Sequence, residues 1–393
     1  MNLLHCLNEL NDHTLLEEIQ KYMREGELFW INSPAQLSAL SFILLSSDSD
    51  LEEFDLRKYQ ASETALLCLL PVVRASTKAL LCGCGLSPHS CGPLASVLSS
   101  SSLTHLDLSH NDLQDSGVEL LCSGLKSAPC RLETLRLSGC LVSERGGAAL
   151  ASALSSAPSH LRELDLSYNH PGPSAELLTA LRNRRPLLSV RLDPAGECWM
   201  VPGLRKYSCE FSLDPNTIHR KLKLSEDKQR VTSEKEEQLY PDHEDRFTDQ
   251  TQVLSSSGLR GRCYWEVECN WEVDIAVSYR RIRRRGTREE SSKFGENDQS
   301  WSLQVSEGQY SIKHNGSEKY MESPQELSLH DARVGVFLDT EAGSLSFYEV
   351  GYCKTDELIH LYTFTSSFTE PLFPGFGLWW NDSSVSLVNM KTQ

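Results

Sequence analysis

Long apolar runs are missing. No stretch of the 393-residue chain reaches the ~20 consecutive apolar residues that a membrane-spanning helix needs. A basic segment is missing from the N-terminus, MNLLHCLNELND, which acquires acids early and is not expected to be a secretory signal. Positive charge is in deficit, with 38 Lys and Arg against 54 Asp and Glu, a net −16. That balance argues against a general nucleic-acid or membrane-surface binder, while leaving room for a local basic patch. Catalytic signatures are absent as well. There is no G-x-x-x-x-G-K-[ST] phosphate loop, no nucleophile elbow, no H-E-x-x-H and no paired metal motif. The chain is therefore expected not to be an enzyme and to need no cofactor, nucleotide or metal. Cysteine is plentiful, but a dense framework is not. Thirteen cysteines, an odd number, are scattered through apolar patterns and read as reduced thiols of the cytoplasm. That compartment would leave the sequons at Asn315 and Asn381 idle.

What is present is ordinary globular material: 39% hydrophobic and 23% charged residues, in a length that suggests two or three domains. Residues 1–50 read as a helical lead-in. Leu3, Leu4, Leu7, Leu10, Leu15, Leu16, Ile19 and Met23 keep helical spacing, broken near Asn11–His13. Ser33-Pro34 opens a further helix through Leu37, Leu40, Phe42, Ile43 and Leu45, with proline at its first position. Helices this short cannot bury their apolar faces alone.

Residues 51–192 repeat. Leu103, Leu132 and Leu161 stand 29 residues apart and begin LTHLDLSHNDL, LETLRLSGCLV and LRELDLSYNHP. The frame L-x-x-L-x-L-x-x-N/C places Tyr59, Cys84, Asn111, Cys140 and Asn169 in one slot. A fixed period of this kind marks a leucine-rich repeat, an α/β solenoid of short parallel strands and outer helices. The alternation of Cys and Asn resembles the ribonuclease-inhibitor subclass. Cys84 and Cys91 then sit in buried repeat slots, which argues against reading Cys82, Cys84 and Cys91 as metal ligands. His105, Asp107, Arg136, Arg162, Glu163 and Asp165 fall on the exposed strand face, which is either a small protein-binding surface or a solvated spacer. The period stops at 193–205, a joint punctuated by Gly196, Pro202 and Gly203.

From 206 to 393 the pattern changes to period two. In GLRGRCYWEVE, Gly258–Glu268, the residues Tyr264, Trp265 and Val267 alternate with Glu266 and Glu268, which predicts a half-buried strand. Further strands are expected at 209–213, 274–279, 301–305, 309–313, 333–338, 344–350, 376–380 and 385–388. Turn signals such as Asn315-Gly316 separate them, so an antiparallel β-sandwich is predicted.

Here the residues carry a resemblance. LDPNTIHRKLKLSED at 213–227, RFTDQTQVLSSSGLRGRCYWEVE at 246–268, RVGVFLDTEAGSLSFYEV at 333–350 and FTEPLFPGFGLWW at 368–380 resemble a PRY–SPRY domain, in the expected order. Helices, ribonuclease-inhibitor-type repeats and PRY–SPRY together resemble the C-terminal part of the NLR innate immune receptors expanded in fish. In that family a NACHT nucleotide-binding domain precedes the repeats; with no phosphate loop here, it is expected to be absent. The resemblance implies a cytosolic protein-recognition module. Its SPRY loops would bind a protein ligand or signalling partner, and the repeats would serve as spacer or second surface. The same module ends tripartite-motif ligases, so a substrate-recruiting adaptor for ubiquitin transfer is the alternative. A third reading is a decoy or regulator of full-length receptors.

The resemblance also places variable loops near 234–245, 270–272, 280–296, 307–324, 351–357 and 380–383. Trp271 is a candidate exposed anchor, because aromatic residues dominate interaction hot spots. Trp379 and Trp380 are adjacent, so on a strand one points inward and the other is a second candidate anchor. Trp265 and Trp301 read as core. RRIRRRGTR, 280–288, holds six arginines in nine residues. Arg281, Arg283, Arg284 and Arg285 are candidates for an acidic or RNA ligand, against a solvated loop balanced by Glu289 and Glu290. No aromatic residue interleaves with them, so single-strand stacking is not supported.

Overall fold

The computed structural model describes residues 33–46, 52–59, 61–156, 159–184, 186–286, 291–306, 308–322, 331–351 and 358–390. The helix expected over 3–23 lies outside them, as do Glu289, Glu290 and most of the loop expected at 351–357. The chain divides into two units, Met1–Lys206 and Tyr207–Gln393.

In the first unit, helix α1 spans Pro34–Ser46. Ser33 and Gln36 cap it reciprocally: the serine hydroxyl accepts from Gln36 N, and Gln36 Oε1 accepts from Ser33 N, both at 3.2 Å. Strands and helices then alternate: β1 Glu53–Asp55, α2 Glu63–Ala75, β2 Lys78–Leu80, α3 Pro88–Leu98, β3 His105–Asp107, α4 Gln114–Leu125, β4 Thr134–Arg136, α5 Glu144–Ser156, β5 Glu163–Asp165, α6 Ser174–Arg184 and β6 Ser189–Arg191. The six strands pair in parallel in chain order. Register follows the repeat: Leu106 sits opposite Leu135, and Leu135 opposite Leu164, all three buried.

The Asn slot explains why the period is strict. Asn111 Oδ1 accepts from Cys84 N and Leu86 N at 3.0 Å, while its Nδ2 donates to Leu81 O and Leu108 O at 2.8 Å. Asn169 does the same one unit on, to Cys140 N, Val142 N, Leu137 O and Leu166 O. Each amide thus satisfies buried backbone groups of two successive turns. The buried Cys140 thiol fills the slot between them and donates to Leu108 O at 3.1 Å. Cys84 and Cys91 lie in the same hydrophobic core. Acids cap across repeats as well: Glu63 accepts from Ser87 N, and Asp115 from Ser143 N and Gly146 N, at the start of the next helix. Gly203 of the predicted joint is tied to the repeats, its N–H donating to Asp112. Lys206, expected to open the next domain, belongs to the first unit and donates from Nζ to Gly139 O at 2.7 Å.

The second unit holds two antiparallel sheets. Its strands are β7 Leu222–Leu224, β8 Arg230–Ser233, β9 Gln252–Leu254, β10 Arg262–Asn270, β11 Val273–Tyr279, β12 Ser300–Ser306, β13 Gln309–His314, β14 Ser317–Glu322, β15 Asp331–Asp339, β16 Ser344–Val350, β17 Leu358–Thr365, β18 Leu372–Leu378 and β19 Ser384–Leu387. One sheet runs β17-β16-β15-β10-β19-β8-β7, the other β14-β13-β12-β11-β18-β9. Aromatic contacts join them, for instance His314 on β13 with Phe364 on β17 at 6.3 Å.

Several expectations change. Strand β10 is not half-buried. Glu266 is 0% exposed, because Arg333 pairs with it at 2.6 Å and Tyr264 OH donates to it at 2.9 Å. An acid in that alternation reads as outward-facing only while its partner, 67 residues on, is unknown. The strand expected at 209–213 reduces to isolated bridges, Ser208 with Tyr264 and Leu213 with Ser255; Pro215 follows and cannot donate to a ladder. Much of the loop expected at 307–324 is the β13–β14 hairpin. Its turn, Asn315-Gly316, has the two positive φ angles, 51° and 72°, of a tight hairpin connection.

Candidate protein-interaction site

Twice the chain passes from one sheet to the other through a short turn at the same end of the β unit. Trp271 and Glu272 connect β10 to β11; residues 379–383 connect β18 to β19. Because Val273 pairs with Leu378, the two turns lie side by side. Trp379 N donates to Glu272 O at 3.4 Å, and Asn270 Oδ1 accepts from Ser384 N at 2.6 Å.

This corner carries exposed aromatic surface. Trp271 is 48% and Trp380 62% exposed. Trp271 has φ of +60°, a left-handed backbone that a non-glycine residue adopts at a cost of ~1–2 kcal/mol. The Trp380 indole N–H donates to Glu272 Oε2, while Gln304 Nε2 donates to Oε1 at 2.8 Å. The carboxylate is therefore held between the turn and strand β12.

The strand expected at 376–380 ends at Leu378, so in-and-out alternation does not place the two tryptophans. The turn does: Trp379 folds back half-buried, and Trp380 faces out. Lys293 Nζ sits 4.3 Å from the Trp379 ring centroid. A Cβ on Gly377 would lie 3.0 Å from Trp379 Cζ2 and 3.3 Å from Asp274 Cβ, so glycine is what lets indole and carboxylate meet on this strand.

Asp274 is 0% exposed, and neither carboxylate oxygen completes a hydrogen bond. Trp379 Nε1 lies close enough to favour the carboxylate but falls short of hydrogen-bond geometry. Burial pushes the Asp274 carboxyl up to about 7; Lys293, Lys313 and the indole oppose the rise, and the Glu272 charge adds to it. Asp274, Gln304, Ser311 and Glu318 lie along one face of the six-stranded sheet. Ser311 donates to Glu318 at 3.1 Å, and Glu318 pairs with Lys313 at 3.0 Å.

The arginine segment has a different character. Arg280 binds Asp214 at 2.9 Å and Asp245 at 2.6 Å. Arg284 lies over the Phe247 ring at 4.7 Å and donates to Arg280 O at 2.9 Å; burial lowers it to about 10. Arg281 donates to Gln299 and pairs with Glu370 at 3.2 Å. Arg283 and Arg285 are exposed, and Gly286 N donates to Asp249 at 2.7 Å beside them. Among the described residues, the balancing acids are Asp214, Asp245 and Glu370, distant in sequence. Trp265 and Trp301 are buried, Trp301 stacking on His314 at 4.6 Å.

The structure thus brings Trp271, Trp379 and Trp380 together and leaves the arginines out of that corner. Glu272, Asp274, Gln304 and Lys293 were not anticipated. The one signal for Asp274 is a lone acid inside the otherwise apolar run VDIAV.

Sequence models of known families agree with this architecture. The model of the PRY (SPRY-associated) domain matches residues 211–259, that of the SPRY domain 262–390, and that of a leucine-rich repeat 99–122 and 157–170. The chain carries leucine-rich repeats and a PRY–SPRY domain. Stonustoxin subunit alpha of Synanceia horrida is 38% identical over 174 residues, 44% of this chain and 24% of that protein. Tripartite motif-containing protein 14 of Mus musculus is 36% identical over 186 residues, 46% of this chain and 40% of that protein. The chain therefore spans well under half the length of these relatives. Among solved structures, that of stonustoxin is 36% identical with a TM-score of 0.43, covering 47% of this chain and 29% of that one. The TRIM65 PSpry domain is 26% identical with a TM-score of 0.41, covering 47% and 93%.

Proposed function

We propose that the chain is the protein-recognition part of an NLR-like innate immune protein, acting in the cytoplasm without catalysis. The β unit presents the corner of Trp271, Trp379 and Trp380 to a protein ligand, and the repeats act as a solenoid spacer or second surface. The observation that carries this reading is the pair of half-exposed indoles on neighbouring turns, one locked by Glu272. Rigid aromatics on a rigid frame are what interaction hot spots are made of. On the repeats, by contrast, exposed charges pair with one another: Arg136 with Glu163 at 3.0 Å, and Arg162 with Glu133 at 3.7 Å.

The tripartite-motif relatives support a second reading equally well, a substrate-recruiting adaptor for ubiquitin transfer. A decoy or regulator of longer receptors is compatible with either. The test is quantitative cross-linking of the full chain in cells, wild type against Trp271→Ala and Trp380→Ala. The expected outcome is loss of the same set of partners from both variants. An unchanged partner set would refute the site; a ubiquitin ligase subunit among the partners lost would favour the adaptor.

A further inference from the structure

We infer that the corner of Trp271, Glu272, Asp274 and Trp380 recognises a basic side chain, arginine or lysine, exposed on the partner protein. The inference rests on the reading of this corner as the partner-binding surface and names the chemistry that it takes.

Three observations converge. First, Glu272 follows Trp271 on the same short turn and accepts from the exposed Trp380 indole, so a carboxylate lies beside exposed aromatic surface. Its oxygens each accept one hydrogen bond from within the fold, leaving the remaining lone pairs for a donor from outside. Guanidinium and ammonium groups are the side chains that satisfy a carboxylate and an indole face together. Second, two residues along the same strand face, Asp274 is fully buried with neither oxygen hydrogen-bonded. A buried acid in this condition needs an explanation, and a nearby cation from a ligand supplies one. Third, the fold already places a cation here: Lys293 Nζ rests on the Trp379 ring beside Asp274. The groups facing Asp274 are Glu272 on the turn, Lys293 on the 291–297 segment, Lys313 on β13 and the Trp379 indole. Lys313 is already paired with Glu318, and Lys293 lies 3.8 Å from Glu296. Among the described residues, the two lysines that face Asp274 are thus shared with Glu318 and Glu296, in a chain of net charge −16.

The test uses the full chain, 15N-labelled on its tryptophan indoles, titrated with N-acetyl-arginine amide, N-acetyl-lysine amide and the neutral isostere N-acetyl-citrulline amide. The expected result is a saturable shift of the Trp271 and Trp380 indole N–H signals with the two cations. Citrulline should bind roughly tenfold more weakly or not at all. Glu272→Gln keeps an oxygen for Trp380 and loses the charge; it should weaken the arginine response roughly tenfold while the Trp265 and Trp301 signals report an intact fold. Equal shifts with arginine and citrulline, or no shift with either cation, overturn the proposal. If Trp271→Ala loses partners in cells while arginine gives no shift, the cation inference falls and the interaction site stands. If neither tryptophan variant loses partners, both fall.

Discussion

The repeat slots and one face of the β unit treat buried polar groups in different ways. In the repeats each slot asparagine is buried with its amide oxygen accepting two backbone bonds and its nitrogen donating at least two. In the β unit, Asp274, Ser292, Ser302 and Trp379 each keep a buried polar atom without a hydrogen-bond partner. An unsatisfied buried group costs ~1–3 kcal/mol, so its retention asks for a use. The repeats are built for persistence. One face of the six-stranded sheet keeps polarity in reserve, next to exposed tryptophans.

The contrast breaks most visibly at the slot. Asn111→Ala would orphan backbone groups at Cys84, Leu86, Leu81 and Leu108 at once. The expected loss is about 4 kcal/mol in the unfolding of the first unit, followed by urea denaturation. A loss under about 1 kcal/mol would mean that water or a shifted turn replaces the amide.

Removing polarity from the β unit should do the reverse. The Asp274 carboxyl titrates near 4 in the unfolded chain and at about 7 in the fold. Between these values the folded state holds a proton that the unfolded chain has lost. This group's contribution to stability therefore falls as pH rises from about 4 to about 7 and is level above that. Asp274→Asn has no such proton to lose. Its advantage over the wild type should grow across that window to ~2–4 kcal/mol at pH 8, read from denaturation at several pH values. A variant less stable than wild type at pH 8 would show instead that the ionised carboxylate is already well solvated.

This asymmetry also decides what could be read from the chain alone. The repeats were legible because their polar partners recur at a constant offset: Asn111 and Asn169 serve groups about one period back, so the period itself reports the bond pattern. The PRY and SPRY segments were legible as motifs. Pairings within the β unit were not, since Glu266 meets Arg333 and Arg280 meets Asp214 at separations that no local pattern marks. The arginine run looked like a patch because the acids that pair with Arg280 and Arg281 among the described residues come from elsewhere. Trp271 and Trp380 could be singled out one by one. The bond from Trp380 to Glu272, the neighbour of Trp271, depends on two turns 108 residues apart crossing between the sheets side by side.

The smallest effects on stability should carry the largest on recognition. Trp380 is mostly exposed, and its ring is held by one hydrogen bond to Glu272, so Trp380→Ala should change unfolding by no more than about 1 kcal/mol. Arg281→Ala should change it by even less, because an exposed pair such as Arg281–Glu370 contributes ~0–1 kcal/mol. The two substitutions are therefore a matched pair: each removes a large surface side chain at little cost to the fold, and they differ in what surrounds them. Arg281 is answered by Gln299 and Glu370 within the fold, whereas the Trp380 ring face is left to solvent. Cross-linking should lose partners with Trp380→Ala and keep them with Arg281→Ala. The opposite result, with partners lost on removing Arg281 and kept on removing Trp380, would move the recognition surface to the arginine segment and its ligand to an anion.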